Sequence, residues 1–507
     1  TTWGASSTIT LTDGQNGYDG NSDAWKIESD GSTGFGQVSQ SVSHSGVNTF
    51  SVYAKAGTNT AFSLRSLSAT DARANFDLSA GSVSTSGTID ASIVSVGNDW
   101  YRCSIVFNGS NTNVYVYPNY IGSASAGFIY IQSAQLESGL VATEYLNSTS
   151  VTGKAGVLID LPRINYDANG ENGALLLEPS RQQLLQYSEY FGGWTLSNST
   201  ITSNATTSPE GVNNASLYTS TNVTNYVRNI ITASNATYTL SVFVKRVSTD
   251  EFRMNFSDGV TGEIRYVFNL ADETSTLTKS GGTISGYSAD FENYGNGWYR
   301  LHITATTNAG TAITAYFETD NETGSFYLYG AMLEQNASYQ SSYIPNHGTS
   351  GGVTRAADSC SVTGASDVIG QTEGTMFAEI NFVDNNTDSM FMTIGDGTSS
   401  NRIHIGYDKT SDWIYCNVKA AGFQQALITS SSPSDGIKKI AVAYKQNDYI
   451  VYINGVSVGA DTNANVPTLT RIDIGGYFTA GFEYPVIEAT LFNERLTNAE
   501  LATLTTL

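Results

Sequence analysis

Hydrophobic and polar residues alternate in short runs along most of this 507-residue chain. In TFSVYAKA (49–56), Phe50, Val52 and Ala54 fall on one side of an extended backbone, and Ser51, Tyr53 and Lys55 on the other. VYVYP (114–118) and GFIYIQSAQLE (127–137) behave similarly. Gly, Asn and Ser interrupt the runs roughly every 8–12 residues, the spacing of an antiparallel sandwich or jelly roll. After Thr354 come GTMFAEINF, SNRIHIGY, WIYCNVK and KKIAVAYKQNDYIVYING, again strand-like, with a tight turn over 446–448. Two departures are expected: a short helix after Ser180, and a C-terminal helix begun by the capping box Thr497-x-x-Glu500.

The pattern repeats. Phe50-Ser-Val-Tyr-Ala-Lys55 returns as Leu240-Ser-Val-Phe-Val-Lys245. Arg73-x-x-Phe76-x-Leu78 returns as Arg265-x-x-Phe268-x-Leu270, and Trp100-Tyr-Arg102 as Trp298-Tyr-Arg300. Trp3 matches Trp194, Ala134-Gln-Leu-Glu137 matches Ala331-Met-Leu-Glu334, and Tyr145 matches Tyr343, in unbroken order. A tandem duplication explains this. The expected division is a first copy over 1–149, a structured connector over 150–186, a second copy over 187–353 and a different domain over 354–507. In WYRCSI and WYRLHI, Tyr, Cys/Leu and Ile share a core-facing side, while Trp and Arg share the other, where the Arg can lie over a ring.

Composition agrees with strands. Charged residues are 14% of the chain, and 6 Trp, 30 Tyr and 21 Phe supply core material. The net charge of −22 repels phosphate backbones and anionic lipid, so nucleic acid is excluded as a partner. No apolar run approaches the roughly 20 residues of a membrane helix, so insertion into a membrane is not expected. Cys103, Cys360 and Cys416 form no CxxC pair and read as free thiols. The four His show no metal-ligand spacing.

The run LLLEPSRQQLLQYSEYFGGW, followed by SVFVK, NGWYR, LYGAMLE and SSYIPNHGTSGGVTRAAD, resembles bacteriophage tail-fibre and virion appendage proteins with carbohydrate-binding-module-like jelly rolls. The match covers about residues 175–358. MFAEINF, KKIAVAYKQNDYIVYINGVSVG and ATLFNERLTNAEL resemble a laminin-G or concanavalin-A-like sandwich. The expected fold is therefore all-β: tandem antiparallel β-sandwich (jelly-roll) domains followed by a concanavalin-A-like β-sandwich. The resemblance implies attachment to a host cell-surface glycan, location on the virion or outside the cell, contact with other virion proteins, and homotrimers. The first copy has no LLLEPSR-like segment before it, and an upstream virion-docking region is expected.

The chemistry points to binding. Sugar-cleaving concanavalin-like enzymes carry E-x-D-x-E on one strand, and no such string occurs; Glu379 and Glu488 stand as single acids. HExxH and Walker loops are also missing from the sequence. The chain reads as non-catalytic, with no catalytic or metal-ligating residue assigned. Exposed rings flanked by polar groups are what sugar binding needs, and residues found in one copy but not the other are the better candidates. Trp25 falls opposite Ser216; Tyr226 and Arg228 fall opposite Phe35 and Gln37. In the third domain, Arg402, His404, Trp413 and Tyr415 are expected on one polar sheet face, with Ile403 and Ile405 turned to the core. No cofactor is assigned; Asp396 and Asp408 are the acids that would serve a structural Ca²⁺. The rival readings are the accessory region of a phage polysaccharide depolymerase and a purely structural head or tail decoration protein.

Overall fold

Alternating strands bury one face each, and among the described residues six antiparallel sheets result. The computed structural model describes residues 3–67, 71–148, 163–166, 173–308, 311–382, 388–475 and 486–507. Among them the one α-helix is Asn498–Leu504. The chain forms two compact units. One comprises Thr1–Ala155 and Gln182–Thr354, and the other Gly156–Arg181 and Arg355–Leu507.

The first unit holds both copies of the repeat. In copy one, a sheet ordered Ile9–Gln15, Ala24–Asp30, Ala126–Ser138, Val47–Ala56, Trp100–Asn108, Asp90–Gly97 packs on a second sheet. The second is ordered Gly4–Ala5, Val38–His44, Asn111–Tyr117, Ala61–Ser66, Ala72–Asp77, Ser82–Ser86. Phe50, Val52, Cys103, Ile105 and Phe107 meet Phe62, Leu64, Phe76, Val114 and Val116 in one buried core. Copy two repeats the plan with Leu240, Val242, Leu301 and Ile303 in the matching positions. The Trp-Tyr-Arg strings therefore do what their alternation predicts. Arg102 lies over the Tyr53 ring at 5.4 Å and Arg300 over Phe243 at 5.1 Å. Each Arg also donates to a cross-strand serine, Ser51 at 3.3 Å and Ser241 at 3.2 Å.

The copies join through a seam of apolar contacts and hydrogen bonds. Val47, Val106 and Leu140 of copy one pack with Tyr187 and Tyr190. The Val47 amide donates to the His347 carbonyl at 2.7 Å, and Asn204 donates to Asp90 at 2.8 Å.

The segment after Ser180 is not helical. Arg181–Gln183 is a strand, and Gln183 opposes Glu334. The buried Gln183 side chain donates to the Ala331 carbonyl at 2.6 Å and accepts from the Leu333 amide at 2.8 Å. This pairing outweighs the helix preference of LLQ. The only helical turn nearby is a 3₁₀ turn at Phe191–Gly193 among the described residues.

The second unit is a two-sheet sandwich. Glu373–Phe382, Gly436–Lys445, Asp448–Ile453 and Val456–Asp461 share a sheet with Val486–Phe492. Connector strands Ile164–Asn165 and Ala174–Leu175 extend this sheet, with Leu175 opposite Val486. Glu178, 7% exposed, is bonded by Arg163 at 2.9 Å and Arg355 at 2.8 Å, which fastens the connector to the start of the domain. The facing sheet runs Cys360–Thr363, Arg471–Ile474, Ser389–Gly395, Arg402–Asp408, Trp413–Ala420, Phe423–Thr429. The C-terminal helix carries the expected capping box, and its Leu501 is buried against Phe377, Ala441 and Ile450.

Candidate functional site

A jelly roll turns one side of each sheet inward, so the outward residues of the second sheet form a separate surface. In copy one, register places Ser39, Tyr115, Arg65, Arg73 and Ser86 in one row across that surface. Tyr117, Ser63, Asn75 and Ser84 form the adjacent row. Tyr115 and Tyr117 are 6.4 Å apart by ring centroid. Arg65 is committed to the fold: it bonds Asp71 at 2.6 Å and the Tyr117 hydroxyl at 3.3 Å. Those bonds, the one to Asp71 first, raise its already high pKa. Ser63 donates to Asn75 Oδ1 at 2.6 Å, so the donor that Asn75 brings to this face is its amide nitrogen. Arg73 is held more loosely, 4.0 Å from Asp71. A groove of about 200 Å³ opens here, lined by Arg73, Asn75, Ser84, Thr85, Ser86 and Ile121. Tyr120, 37% exposed, precedes Ile121.

Copy two builds the same surface with a different charge pattern. Arg228, Tyr316, Asn255, Arg265 and Lys279 form the row equivalent to Ser39 through Ser86. Tyr226 and Arg228, expected from sequence, do come together. Arg228 donates to the Tyr316 hydroxyl at 3.1 Å and sits 5.2 Å from the Tyr226 ring, while the two tyrosines meet edge-on at 5.5 Å. The register corrects their alignment: Val227 pairs with Phe317 as Val38 pairs with Val116, so Arg228 corresponds to Ser39 rather than Gln37, and Tyr226 to Gln37 rather than Phe35. Ion pairs lace this face. Arg253 bonds Glu318 at 2.5 Å and Asp320 at 2.7 Å, and Glu263 bonds Arg265, Lys279 and Asn255. Groups tied to one another in this way are less able to meet a ligand than those around the copy-one groove.

Trp25 is 44% exposed, whereas Ser216 at the matching position is fully buried. Trp25 lies in Ala24–Asp30 on the first sheet, opposite Ile131, and is not part of the second-sheet surface.

In the third domain the alternation holds: Ile403 and Ile405 enter the core, and Arg402, His404 and Gly406 face the other way. Arg402 pairs across with Lys419, His404 with Asn417, Gly406 with Tyr415, and Asp408 with Trp413. His404 departs from its expected exposure, being 2% exposed with its ring edge-on to Tyr415 at 5.3 Å. Burial first, then the charges of Arg402 and Lys419, push its pKa down to about 3, so it is a neutral buried ring rather than a surface donor. Arg402, Trp413 and Tyr415 are half-buried. Asp396 caps its own turn, accepting from Thr398 and Asn401, and Asp408 accepts from Ser411. These acids flank opposite ends of Arg402–Asp408, roughly 20 Å apart at about 3.3 Å per residue, so one Ca²⁺ cannot bridge them. Glu379 and Glu488 are not isolated: they are cross-strand partners, with Lys439 3.8 Å from Glu379.

The sequence reading passed over Tyr115, Arg73 and Asn75. Their signal was present in VYVYP, where Tyr alternates with Val, and in Arg73, whose side chain must point the same way as Asn75.

No family model matches this sequence, and no curated protein matches it significantly. Among solved structures, the chain is similar to the Ruminococcus gnavus IT-sialidase CBM40, at 16% identity and TM-score 0.24, covering 28% of this chain and 86% of that one. It is also similar to a SAP-like pentraxin from Limulus polyphemus (12% identity, TM-score 0.23, covering 26% and 70%) and to chicken galectin 2 (14%, 0.20, covering 26% and 96%).

Proposed function

We propose that this chain is a non-catalytic adhesion module that binds glycans, and that it serves as part of a virion appendage attaching to a host cell surface. The observation that carries the binding reading is the second-sheet surface of copy one. There an open groove is lined by a guanidinium, a carboxamide and three hydroxyls, next to the exposed Tyr120, with Tyr115 further along the same row. Rings offer a flat apolar face to a pyranose, and the polar groups address its hydroxyls. The virion setting, the trimer and the docking to other virion proteins rest on the sequence resemblance. Binding of the fluorescently labelled chain to intact bacteria, with and without enzymatic stripping of surface polysaccharide, tests the reading. Saturable binding lost on stripping is expected; equal binding to stripped cells, or none at micromolar concentration, favours a structural decoration protein instead.

A second reading, polysaccharide cleavage, is favoured by the facing pair Glu379 and Glu488. It requires new reducing ends when the chain is incubated with host polysaccharide and their loss in Glu379→Gln. We expect no such ends.

A further inference from the structure

The opposite sheet of copy one carries a second groove. It measures about 330 Å³ and is lined by Gln15, Asn16, Lys55, Asn98, Trp100 and Tyr130, with Gly17 at its edge. Its floor follows from register: Lys55 is the cross-strand partner of Trp100 on one side and of Tyr130 on the other, so the three side chains form one outward row. Trp100 is 2% exposed and Tyr130 half-buried, both packed with Tyr18, Tyr53 and Tyr145.

The wall is held in place. Gln132 donates to Asp19 at 3.0 Å and to Asp23 at 2.5 Å, and accepts from the Tyr18 amide at 2.8 Å. Tyr18 in turn stacks flat on Tyr53 at 3.7 Å, with 3° between the planes. The loop after Ile9–Gln15 is thus fixed before any ligand arrives, which lowers the ordering cost of binding. Asn98, with φ of 51°, turns the chain on the far side.

The charge balance selects the ligand. The Lys55 ammonium donates to the Asn98 carbonyl at 2.8 Å and lies 3.7 Å from Asp99, so its charge is already answered. What remains are the carboxamides of Asn16 and Asn98, and that of Gln15, whose nitrogen also donates to the Asp13 carbonyl at 3.0 Å, beside the half-buried Tyr130 ring. Such a set matches adjacent hydroxyls on a ring with an apolar face, and it offers no surplus cation for a carboxylate or sulfate. We propose that this groove is a second binding site, for an uncharged pyranose unit, on the sheet opposite the first. Copy two keeps Lys245, Trp298 and Tyr327 in the same row, but Thr206, Thr207 and Ser208 replace Gln15, Asn16 and Gly17. The Gln15 and Asn16 amides are therefore particular to copy one, whereas Asn98 returns as Asn296.

The inference rests on the glycan reading, but the two grooves separate by experiment. Saturation-transfer NMR is run on the whole chain with methyl glycosides of glucose, galactose, mannose and N-acetylglucosamine at millimolar concentration. The variants are Gln15→Ala/Asn16→Ala, whose side chains are at the surface, Tyr130→Ala, and Arg73→Ala/Asn75→Ala. Transfer to at least one glycoside is expected to persist in Arg73→Ala/Asn75→Ala and to fall at least fivefold in Gln15→Ala/Asn16→Ala at an unchanged melting midpoint. Transfer abolished by Arg73→Ala/Asn75→Ala, or unchanged in both other variants, overturns the second site alone. No transfer from any glycoside to the unmodified chain overturns it together with the glycan reading.

Discussion

Glu189 shows how a single buried group can set the pH response of the jelly-roll unit. It is 4% exposed, accepts from the Tyr343 hydroxyl at 3.1 Å and from Asn214, and shares Asn214 with Glu210, which Tyr329 also bonds. Burial first, then the Glu210 charge, push its pKa up to about 8 from an ordinary 4.5. The folded state therefore holds this proton more tightly than the unfolded chain. Its stabilising effect is full below about 4.5 and is lost as pH rises through about 8. The melting midpoint of the jelly-roll unit should decline between pH 5 and 8.5, and Glu189→Gln should flatten that decline; an unaltered slope in the variant would refute the assignment. His302 and His404 act with the opposite sign. Burial depresses them to about 4 and about 3, so their contribution is full above about 6.5 and is lost as pH falls toward those values. Neither the raised carboxyl nor the depressed imidazoles could be read from sequence, because both depend on what the fold packs around them. Trp25 was readable, since a bulky ring opposite a serine in the sister copy has to find room at the surface.

At the scale of elements, alternation carried most of the information. It assigned the inner and outer faces of WYRCSI, RIHIGY and VYVYP, because a strand's side-chain period is two whatever its neighbours do. It did not reveal which outer faces stay open. His404 and Tyr117 are outward by register yet buried, at 2% and 3% exposure, under neighbouring side chains. It also missed the strand at Arg181–Gln183, where a buried glutamine pairs with Ser325–Gln335 despite a helix-favouring local sequence. The C-terminal helix was legible because its capping box is local, with Thr497 accepting from the Glu500 amide at 3.3 Å. Thr497→Ala should destabilise the second unit by about 1 kcal/mol. Leu501→Ala, which empties a fully buried position, should cost about 2–5 kcal/mol. Denaturant titration of the two variants checks the ranking; equal costs would mean that the helix is held by its cap rather than by its packing.

For the whole molecule, duplication and acidity were visible in the sequence. The two copies, each with its own core, share a seam of Val47, Val106, Leu140, Tyr187 and Tyr190 and lie in one compact unit made of Thr1–Ala155 and Gln182–Thr354. The connector strands belong instead with the C-terminal sandwich. Calorimetry of the intact chain should show two transitions, not three, with Leu501→Ala moving one and Glu189→Gln the other. The central claim is that the second-sheet groove of copy one binds glycan. Its most direct test is titration calorimetry of the chain and of Arg73→Ala/Asn75→Ala against the strongest glycan found on an array. Loss of a charge-assisted and a neutral hydrogen bond should weaken binding by at least about tenfold, with the melting midpoint unchanged. Wild-type affinity in the double variant would contradict the account.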